Sequence, residues 1–367
     1  MSNTFLTAQE IARASLPILQ ENVIFPQLCW RDFSTASAKC GDVVQVRKPA
    51  VFQADAFSGV IAPQDVNEQS VLVQLDTVAD VSVSLSAQEM ALNVEDFTAQ
   101  ILRPAMVAVA EKINDDGFAL YQDVYTCVGA AGTTPNSLEA FAEARRALNA
   151  AKAPLHPRYA VWDLDADVQF SQLDAIVNAE KSGSTQALRE GSIGRVQGLE
   201  NYMSGAVRRH TAGTLAATGT LAPKTDAALG AETVELQAAT LTGSLTRGDL
   251  LRIDGASYVV AQDATAADNA VTVHLRPGLR AAATTASTVE LIGSHVANLA
   301  FGGAAFGFIS RPLEVAHGAE SYVTSFEGLS LRVTLGYDMN SKSQILSVDT
   351  LYGYKTLYPE LAVRVLG

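Results

Sequence analysis

The feature that most limits how this chain can fold is a long alternation of apolar and polar residues in its first quarter. Residues 70–86, SVLVQLDTVADVSVSLS, alternate with a period of two, and residues 42–49, DVVQVRKP, do so over a shorter length. That period is typical of β-strands with one buried face. The segment between them contains Gly59 and Pro63 among scattered polar residues. The pattern predicts two long strands joined as an extended β-hairpin that reaches away from the body of the protein.

The N-terminal segment is expected to hold a short helix. Thr7-x-x-Glu10 is a capping box, and the helix it opens should be disturbed by Pro17 and ended by Pro26. Residues 1–15 carry charge early and contain no long apolar stretch, so no signal peptide is expected.

A much longer helix is predicted after the hairpin. Asn93 should cap it and it should run to near Gln122, a length of about 30 residues or roughly 45 Å. Apolar residues, among them Phe97 and Val109, fall along one stripe. Pro104 is expected to kink this helix, because proline removes one backbone donor and clashes with the preceding turn.

The middle of the chain alternates helix, strand and helix. Residues 137–152 form an amphipathic pattern that Pro154 stops, residues 158–165 (RYAVWDLD) predict a buried strand, and residues 166–179 predict a third helix. A glycine-rich stretch, residues 187–205, follows. Its spacing matches neither phosphate-loop motif, and the helix precedes the strand, so phosphate binding is not expected.

Residues 209–293 are rich in Thr, Ala and Gly and predict a compact all-β module. Asp254-Gly255 between two short apolar runs is a strong hairpin signal. The expected strands are ETVELQA, GDLLRID, ASYVVAQ, AVTVHLR and TVELI. Residues 291–310 lack formal charges, yet their polar residues and glycines favour buried sheet over a membrane span. Long alternating strands then finish the chain.

Composition suits a well-buried globular protein, with 48% hydrophobic and 18% charged residues. The net charge of −13, from 26 Lys+Arg and 39 Asp+Glu, argues against sequence-specific nucleic-acid binding. It remains compatible with a container that encloses nucleic acid without adhering to it. Cys29, Cys40 and Cys127 show no C-x-x-C spacing, which indicates reduced, partly buried thiols in a cytosolic protein.

The strongest enzymatic alternative is Asp163-x-Asp165 at the end of an apolar strand. It resembles the nucleophile motif of haloacid-dehalogenase-type phosphatases, in which the first Asp attacks phosphorus and the second acts as acid and base. The motif lies in mid-chain and continues with Ala166-Asp167 where Gly-Thr is usual. The other hypothesis is that these carboxylates cap the next helix and complement its dipole.

Other chemistry finds little support in the sequence. A calcium loop starting at Asp163 would place Val168 where glycine is needed and Asp174 where glutamate is usual. The five histidines are far apart, and no H-E-x-x-H or G-x-S-x-G motif occurs. No catalytic, cofactor-binding or metal-ligating residue is therefore expected.

The order of these segments resembles the major capsid proteins of tailed double-stranded DNA phages with the Hong Kong 97 fold. Within that family it is most similar to coat proteins with an inserted β-barrel, as in phage P-twenty-two. The similarity covers nearly the whole chain and rests on GDVVQVRKPAVFQADAFSG, NVEDFTAQILRPAMVAVAEKIND, GSIGRVQGLENYMSGAV, RGDLLRIDGASYVVAQ and EGLSLRVTLGYDMNSKSQILSVDTLYGYKTLYPELAVRVL. The sequence departs from relatives at FGGAAF (301–306), and the start of the inserted module does not align.

The resemblance implies an α+β fold divided into six parts. These are an N-terminal arm (1–40), an extended β-hairpin loop with its strands (41–86, loop about 50–70), a spine helix and peripheral domain (87–135), an axial domain (136–208), an inserted β-barrel domain (209–293) and return strands (294–367). In this fold the glycines at 191–198 would turn the chain from a helix into a strand. Arg195 would then be a contact within or between subunits.

The implied function is structural: many copies would form an icosahedral shell around packaged double-stranded DNA, as a virion capsid assembled in the host bacterial cytoplasm. Implied partners are other copies in pentamers and hexamers, a separate scaffolding protein, since no long helical segment precedes the arm, and a portal protein. Candidate subunit contacts are Arg47, Lys48, Phe52, Phe57, Arg103 and Arg195. The alternatives are an encapsulin-like nanocompartment and the Asp163 phosphatase.

Overall fold

The computed structural model describes residues 7–31, 42–47, 70–85, 97–183, 185–315, 318–339 and 343–367. Within them the chain forms two compact units that alternate along the sequence. The first is drawn from residues 1–26, 31–113 and 307–357, and the second from residues 27–30, 114–306 and 358–367.

Strands make up most of the regular structure. They are β1 (Val43–Arg47), β2 (Ser70–Gln74), β3 (Thr77–Leu85), β4 (Cys127–Val128), β5 (Arg158–Trp162), β6 (Arg195–Val196), β7 (Leu199–Met203), β8 (Arg209–His210), β9 (Ala216–Thr218), β10 (Ala222–Pro223), β11 (Thr233–Gln237), β12 (Thr240–Thr242), β13 (Ser244–Leu245), β14 (Leu250–Ile253), β15 (Ala256–Val260), β16 (Ala264–Thr265), β17 (Ala270–Arg276), β18 (Val289–Leu291), β19 (His295–Gly302), β20 (Phe306–Arg311), β21 (Glu320–Phe326), β22 (Leu329–Asp338), β23 (Ser343–Thr356) and β24 (Ala362–Leu366).

The α-helices are shorter and are spread through the chain. They are α1 (Ala8–Asn22), α2 (Phe25–Leu28), α3 (Arg103–Phe118), α4 (Leu138–Ala150), α5 (Leu164–Ser171), α6 (Asp174–Val177), α7 (Ala179–Ser182) and α8 (Gln186–Glu190). A π-helical turn covers Thr98–Leu102, and 3₁₀ turns cover Ala119–Asp123 and Pro359–Leu361. Among the described residues, no helix is both long and apolar enough to cross a membrane.

The first unit is built on a sheet in the order β20-β23-β22-β21, with β3 also paired to β23. Alternate residues of β22, Leu329, Leu331 and Val333, are buried. Helix α1 packs on β21 and β22 through a face that includes Ile11 and Leu19. Apolar residues recur at every second position of the strand and about every 3.6 positions of the helix, so each element has one apolar face, and the two faces are buried against each other.

Helix α1 begins at the predicted capping box. The Thr7 hydroxyl accepts a hydrogen bond from the backbone N–H of Glu10, and the Glu10 carboxylate accepts one from the backbone N–H of Thr7. Pro17 lies inside the helix as expected. The predicted end at Pro26 is wrong: α1 ends at Asn22, where the chain turns extended at Val23, and Pro26 lies in the separate short helix α2.

The predicted hairpin strands pair as β1 with β2, antiparallel, with Arg47 opposite Ser70. The prediction of one strand over residues 70–86 is wrong, because the run divides into β2, which pairs with β1, and β3, which pairs with β23. Beside the break, a Cβ at Gly353 would lie 2.1 Å from the carbonyl oxygen of Gln74. Only glycine allows two backbones to approach so closely.

The predicted long helix is irregular at its start. The π-turn Thr98–Leu102, in which the N–H of Arg103 bonds the carbonyl of Thr98, lies directly before Pro104, and α3 follows. Proline has no N–H to donate, so a regular ladder cannot run through this point. Asn93, the expected cap, lies outside the described residues.

The second unit contains a sheet in the order β4-β24-β19-β5-β7-β6. Helices α4 and α5 pack on it through Phe141, Trp162 and Phe170, whose rings lie 4.5 to 5.1 Å apart. Such edge-to-face and tilted ring contacts add to the free energy of apolar burial. The predicted strand over 158–165 is confirmed over Arg158–Trp162 (β5), but its end is wrong because α5 begins at Leu164. The predicted third helix over 166–179 is wrong as a single element, since it divides into α5, α6 and the start of α7.

The glycine-rich stretch turns the chain as the resemblance implied. Gly191 (φ 68°) ends α8, and its N–H donates to the carbonyl of Ala187. Gln197 (φ 50°) and Gly198 (φ 87°) form the two-residue turn between β6 and β7. A hairpin turn with two positive φ values strongly favours glycine.

The inserted module forms a sheet in the order β10-β11-β17-β15-β14-β18. Its five predicted strands are confirmed as β11, β14, β15, β17 and β18, with the turn at Asp254 (φ 48°) and Gly255 (φ 82°). The short pairs β9–β12 and β13–β16 were not predicted from the sequence. The charge-free run at 291–310 contains β19 and most of β20, which confirms it as buried sheet.

Candidate subunit-contact site

The sequence assigns subunit contacts to Arg47, Lys48, Phe52, Phe57, Arg103 and Arg195. Arg47 ends β1, and Lys48, Phe52 and Phe57 lie outside the described residues. Arg103 opens α3 and Arg195 opens β6, and both side chains are exposed. Exposure leaves these two available to another molecule, and their role in contacts stays a prediction.

Arg195 lies on the edge of a cavity of about 510 Å³. Its Nη2 donates to the ring of His156, 2.7 Å from Nδ1. Apolar side chains, including Ile176 and Ile193, line the cavity, and the neighbouring Leu188 is 72% exposed. Arg195 thus bonds a residue of its own chain and lies beside exposed apolar surface, which is more typical of a protein contact than of a phosphate site.

Asp163, the alternative catalytic residue, occupies the N-cap position of α5, and Asp165 and Asp167 lie in the first turn. This confirms the helix-terminus hypothesis for their positions, although the Asp163 side chain makes no capping hydrogen bond. Its backbone N–H donates instead to Oδ1 of the buried Asn298, at 2.7 Å. Burial raises the pKa of the Asp163 carboxyl, against the opposing effect of nearby backbone N–H groups.

A buried polar cluster, not foreseen from the sequence, surrounds Arg364 in β24. Its Nη1 donates to the carbonyl of Gly248 at 2.9 Å, and its Nη2 to those of Tyr121 at 2.5 Å and Val124 at 3.0 Å. The guanidinium carbon lies 4.9 Å from the centre of the Tyr121 ring. Burial lowers the pKa of Arg364 to about 10. These acceptors allow a charged group to remain fully buried.

His210 extends this cluster towards the inserted module. Its Nδ1 lies 3.0 Å from the hydroxyl of Tyr121 and its Nε2 lies 2.7 Å from Oδ1 of Asp249. The Asp249 carboxylate also accepts from the backbone N–H groups of Gly213 and Thr246. Every polar atom named here is paired, which is the condition for such a network to stabilise a fold.

His295 completes the cluster, with its ring 5.3 Å from that of His210. Its Nδ1 donates to the carbonyl of Gly293 at 2.8 Å, which leaves Nε2 as an acceptor facing Nη1 of Arg364 at 3.4 Å. Burial, foremost, and the nearby Arg364 lower the pKa of His295 to about 4, against the opposing effect of the Gly293 carbonyl. His295 is therefore neutral at physiological pH.

The members of this cluster lie far apart in the chain, so no spacing motif could reveal them. The one available signal was a charged residue, Arg364, inside the apolar strand AVRVL. Such a residue is buried only when paired. Among the described residues, no three His, Cys, Asp or Glu side chains lie close enough together to hold a metal ion.

No protein-family model matches the sequence, and no curated protein matches it. In structure the chain is similar to a protein of Mycobacterium phage Che8, with a TM-score of 0.51 and 14% identity over 94% of this chain and 90% of that one. Lower TM-scores relate it to the capsid of an empty GTA particle (0.47; 10% identity; 94% and 89% covered) and the capsid structure of cyanophage P-SCSP1u (0.45; 15%; 92% and 90%). The chain therefore shares its fold with the Che8 phage protein, and the α+β fold of the Hong Kong 97 type expected from the sequence is confirmed.

Proposed function

We propose that the chain is a major capsid protein whose copies assemble into an icosahedral shell around packaged double-stranded DNA. The observation that carries the proposal is the fold shared with the Che8 phage protein over 94% of this chain. The order of hairpin, helix, axial part and inserted module, which resembles tailed-phage coat proteins, supports it. Assembly makes and breaks no covalent bond. It buries surface between subunits, commonly more than about 2,000 Å² for obligate contacts.

The partners follow from this function. A portal protein would occupy one vertex, and a separate scaffolding protein would set the shell size during assembly in the host bacterial cytoplasm. The net charge of −13 suits an enclosure that holds DNA without sequence-specific contacts. Irregular particles from the chain alone, and regular ones on co-expression with a scaffolding protein, would support this part of the proposal.

Electron microscopy of the purified protein tests the function. Closed shells of one size are the expected result when a scaffolding protein is co-expressed, and closed but irregular shells when it is absent. Small shells that retain a host protein inside would favour a nanocompartment instead. Small oligomers that hydrolyse a phosphate ester, with the activity lost in Asp163→Asn, would favour the phosphatase.

A further inference from the structure

Among the described residues, three arginines are almost fully buried: Arg158 is 3% exposed, Arg364 0% and Arg311 6%. A buried guanidinium is tolerated when acceptors surround it. Arg158 meets this condition through the carbonyls of Pro154 and Ala153 and the side chain of Asn149. Arg364 meets it at Nη1 and Nη2 through three carbonyls, although its Nε, like that of Arg311, has no partner among the described residues.

Arg311, the last residue of β20, makes no side-chain hydrogen bond to such an acceptor within the described residues. Its Nε is buried without a hydrogen-bond partner, and within the described part of the chain its side chain forms no ion pair. Two carboxylates of the unit are engaged with other residues: Glu327, which lines the same cavity as Arg311, accepts from Gln20, and Asp349 pairs with Arg332 at 2.6 Å. Burial lowers the pKa of Arg311, but arginine stays protonated at neutral pH. Among its described residues, the first unit therefore contains a buried charge without a counter-charge.

Arg311 lines a cavity of about 210 Å³ in the first unit, which we call the Arg311 cavity. Its lining includes a second cation, Arg31, whose Nη1 donates to the carbonyl of Glu327. The volume is several times the roughly 30 Å³ that one water occupies in the liquid. Phe326, which also lines it, is 54% exposed. An arginine beside an exposed aromatic ring is the combination that most often dominates a protein–protein contact.

We propose that the Arg311 cavity is a socket for a carboxylate side chain supplied by a second copy of this chain. A carboxylate can accept two parallel hydrogen bonds from one guanidinium, which is the strongest pairing available to arginine. The chain itself offers 39 Asp and Glu against 26 Lys and Arg, so most of its surfaces carry surplus carboxylates. A DNA phosphate fits less well, because this is a single recess and not a basic patch. The proposal rests on the self-assembly stated above.

One substitution should have opposite effects on the stability of the free subunit and on assembly of the shell. Arg311→Gln removes an unpaired buried charge from the free subunit, so the melting temperature of unassembled subunits should stay the same or rise. The same change leaves the incoming carboxylate unpaired in the shell. The concentration needed for assembly should therefore rise at least about tenfold. A merely structural role for Arg311 would lower the melting temperature and assembly together.

Arg332→Gln is the matched control. Arg332 lies on the same sheet and is already paired with Asp349, whose side chain is 8% exposed. Its loss leaves a buried carboxylate unpaired in the subunit itself, so the melting temperature of the free subunit should fall. Arg311→Lys keeps the charge but cannot donate two parallel hydrogen bonds to one carboxylate. The concentration that this variant needs for assembly should therefore lie between those of Arg311→Gln and the wild type.

A density map of wild-type shells, prepared without added anions, decides the identity of the occupant. The expected result is a carboxylate oxygen of a neighbouring copy about 2.7–2.9 Å from the Arg311 guanidinium. Water alone, a free solvent anion, a DNA phosphate or a carboxylate of the same copy at that place would overturn the proposal. Normal wild-type shells with undiminished Arg311→Gln assembly would reject the socket and leave the capsid function standing. A wild-type chain that never self-associates would reject both.

Discussion

His210 and Asp249 form an enclosed pair, with Nε2 of the histidine 2.7 Å from Oδ1 of the aspartate and side chains only 3% and 4% exposed. His210 ends β8 at the beginning of the inserted module, and Asp249 directly precedes β14 inside it. Through Tyr121 and Arg364 the same cluster reaches the 3₁₀ turn and the last strand of the second unit. The base of the module is thus fixed to the rest of this unit by buried polar contacts.

Asp249→Ala should strongly destabilise the subunit. The change leaves the half-buried N–H groups of Gly213 and Thr246, and the buried His210, without their acceptor, which should lower the free energy of unfolding by about 3 kcal/mol. Glu235→Ala is the control, because its pair with Lys224 is exposed and should contribute less than about 1 kcal/mol. Urea unfolding of unassembled subunits measures both. Equal losses would contradict the prediction.

Acid should weaken the second unit through His295. Its folded-state pKa of about 4 lies below the ordinary 6.5, so the unfolded chain takes up the proton first as the pH falls. The stability that neutral His295 contributes is complete above pH 6.5 and is lost as the pH falls towards 4. The loss amounts to about 3 kcal/mol. Arg364 and His210 oppose protonation of His295, and Asp249 favours it.

Unfolding free energy measured between pH 7 and pH 4 tests this effect. The wild type should lose stability across that range, and His295→Gln should lose less because it has no proton to take up. His274→Gln replaces an exposed histidine of β17 and should keep the wild-type pH dependence. Identical curves for His295→Gln and the wild type would rule out His295 as the source.

The inserted module should fold by itself as residues 209–293. Its apolar core is internal: the buried cluster that includes Val234, Leu251, Tyr258 and Val273 draws all its members from residues 215–289. A domain of this size can bury enough apolar surface to be stable. The isolated segment should show a cooperative thermal transition by circular dichroism. A random-coil spectrum at every temperature would show that the module depends on the rest of the chain.

Asp163 should be dispensable for any chemistry. Asp163→Asn keeps the side-chain shape at the N-cap of α5, where Asn is as favourable as Asp, so it should cost at most about 1 kcal/mol. Shells of the variant should form as in the wild type. Phosphatase activity in the wild type that the substitution abolishes would overturn the capsid proposal.

Local patterns predicted the elements whose causes are local. The capping box at Thr7, the Asp254-Gly255 turn and the alternating strands depend on neighbouring residues only. The break after Gln74 was hidden, because alternation does not tell which partner a strand pairs with, and β2 and β3 pair with different strands. Two-residue strands such as β13 are too short to show any period. Arg364 and Tyr121 are 243 positions apart, so their contact depends on the tertiary fold alone.

The mature shell should be held together without covalent cross-links. Some relatives of the resembled family join subunits by an isopeptide bond between a lysine in the projecting loop and an asparagine of a neighbour. This chain has no lysine between Lys48 and Lys112, and Lys48 directly follows β1 in the sequence. Disulfides are also not expected, because Cys29 and Cys127 are buried and not joined in a disulfide, and a reducing cytosol disfavours oxidation.

Apolar burial and strand pairing between subunits must then supply the stability of the shell. Boiled, purified shells on a denaturing gel without reductant test this. A single band near 38.7 kDa is expected. The same gel with reductant is the control: a ladder of pentamer and hexamer bands that persists in reductant would mean an isopeptide-type bond, and one that collapses would mean disulfides. Either ladder would refute the prediction, because non-covalent contacts of apolar surface do not survive boiling in detergent.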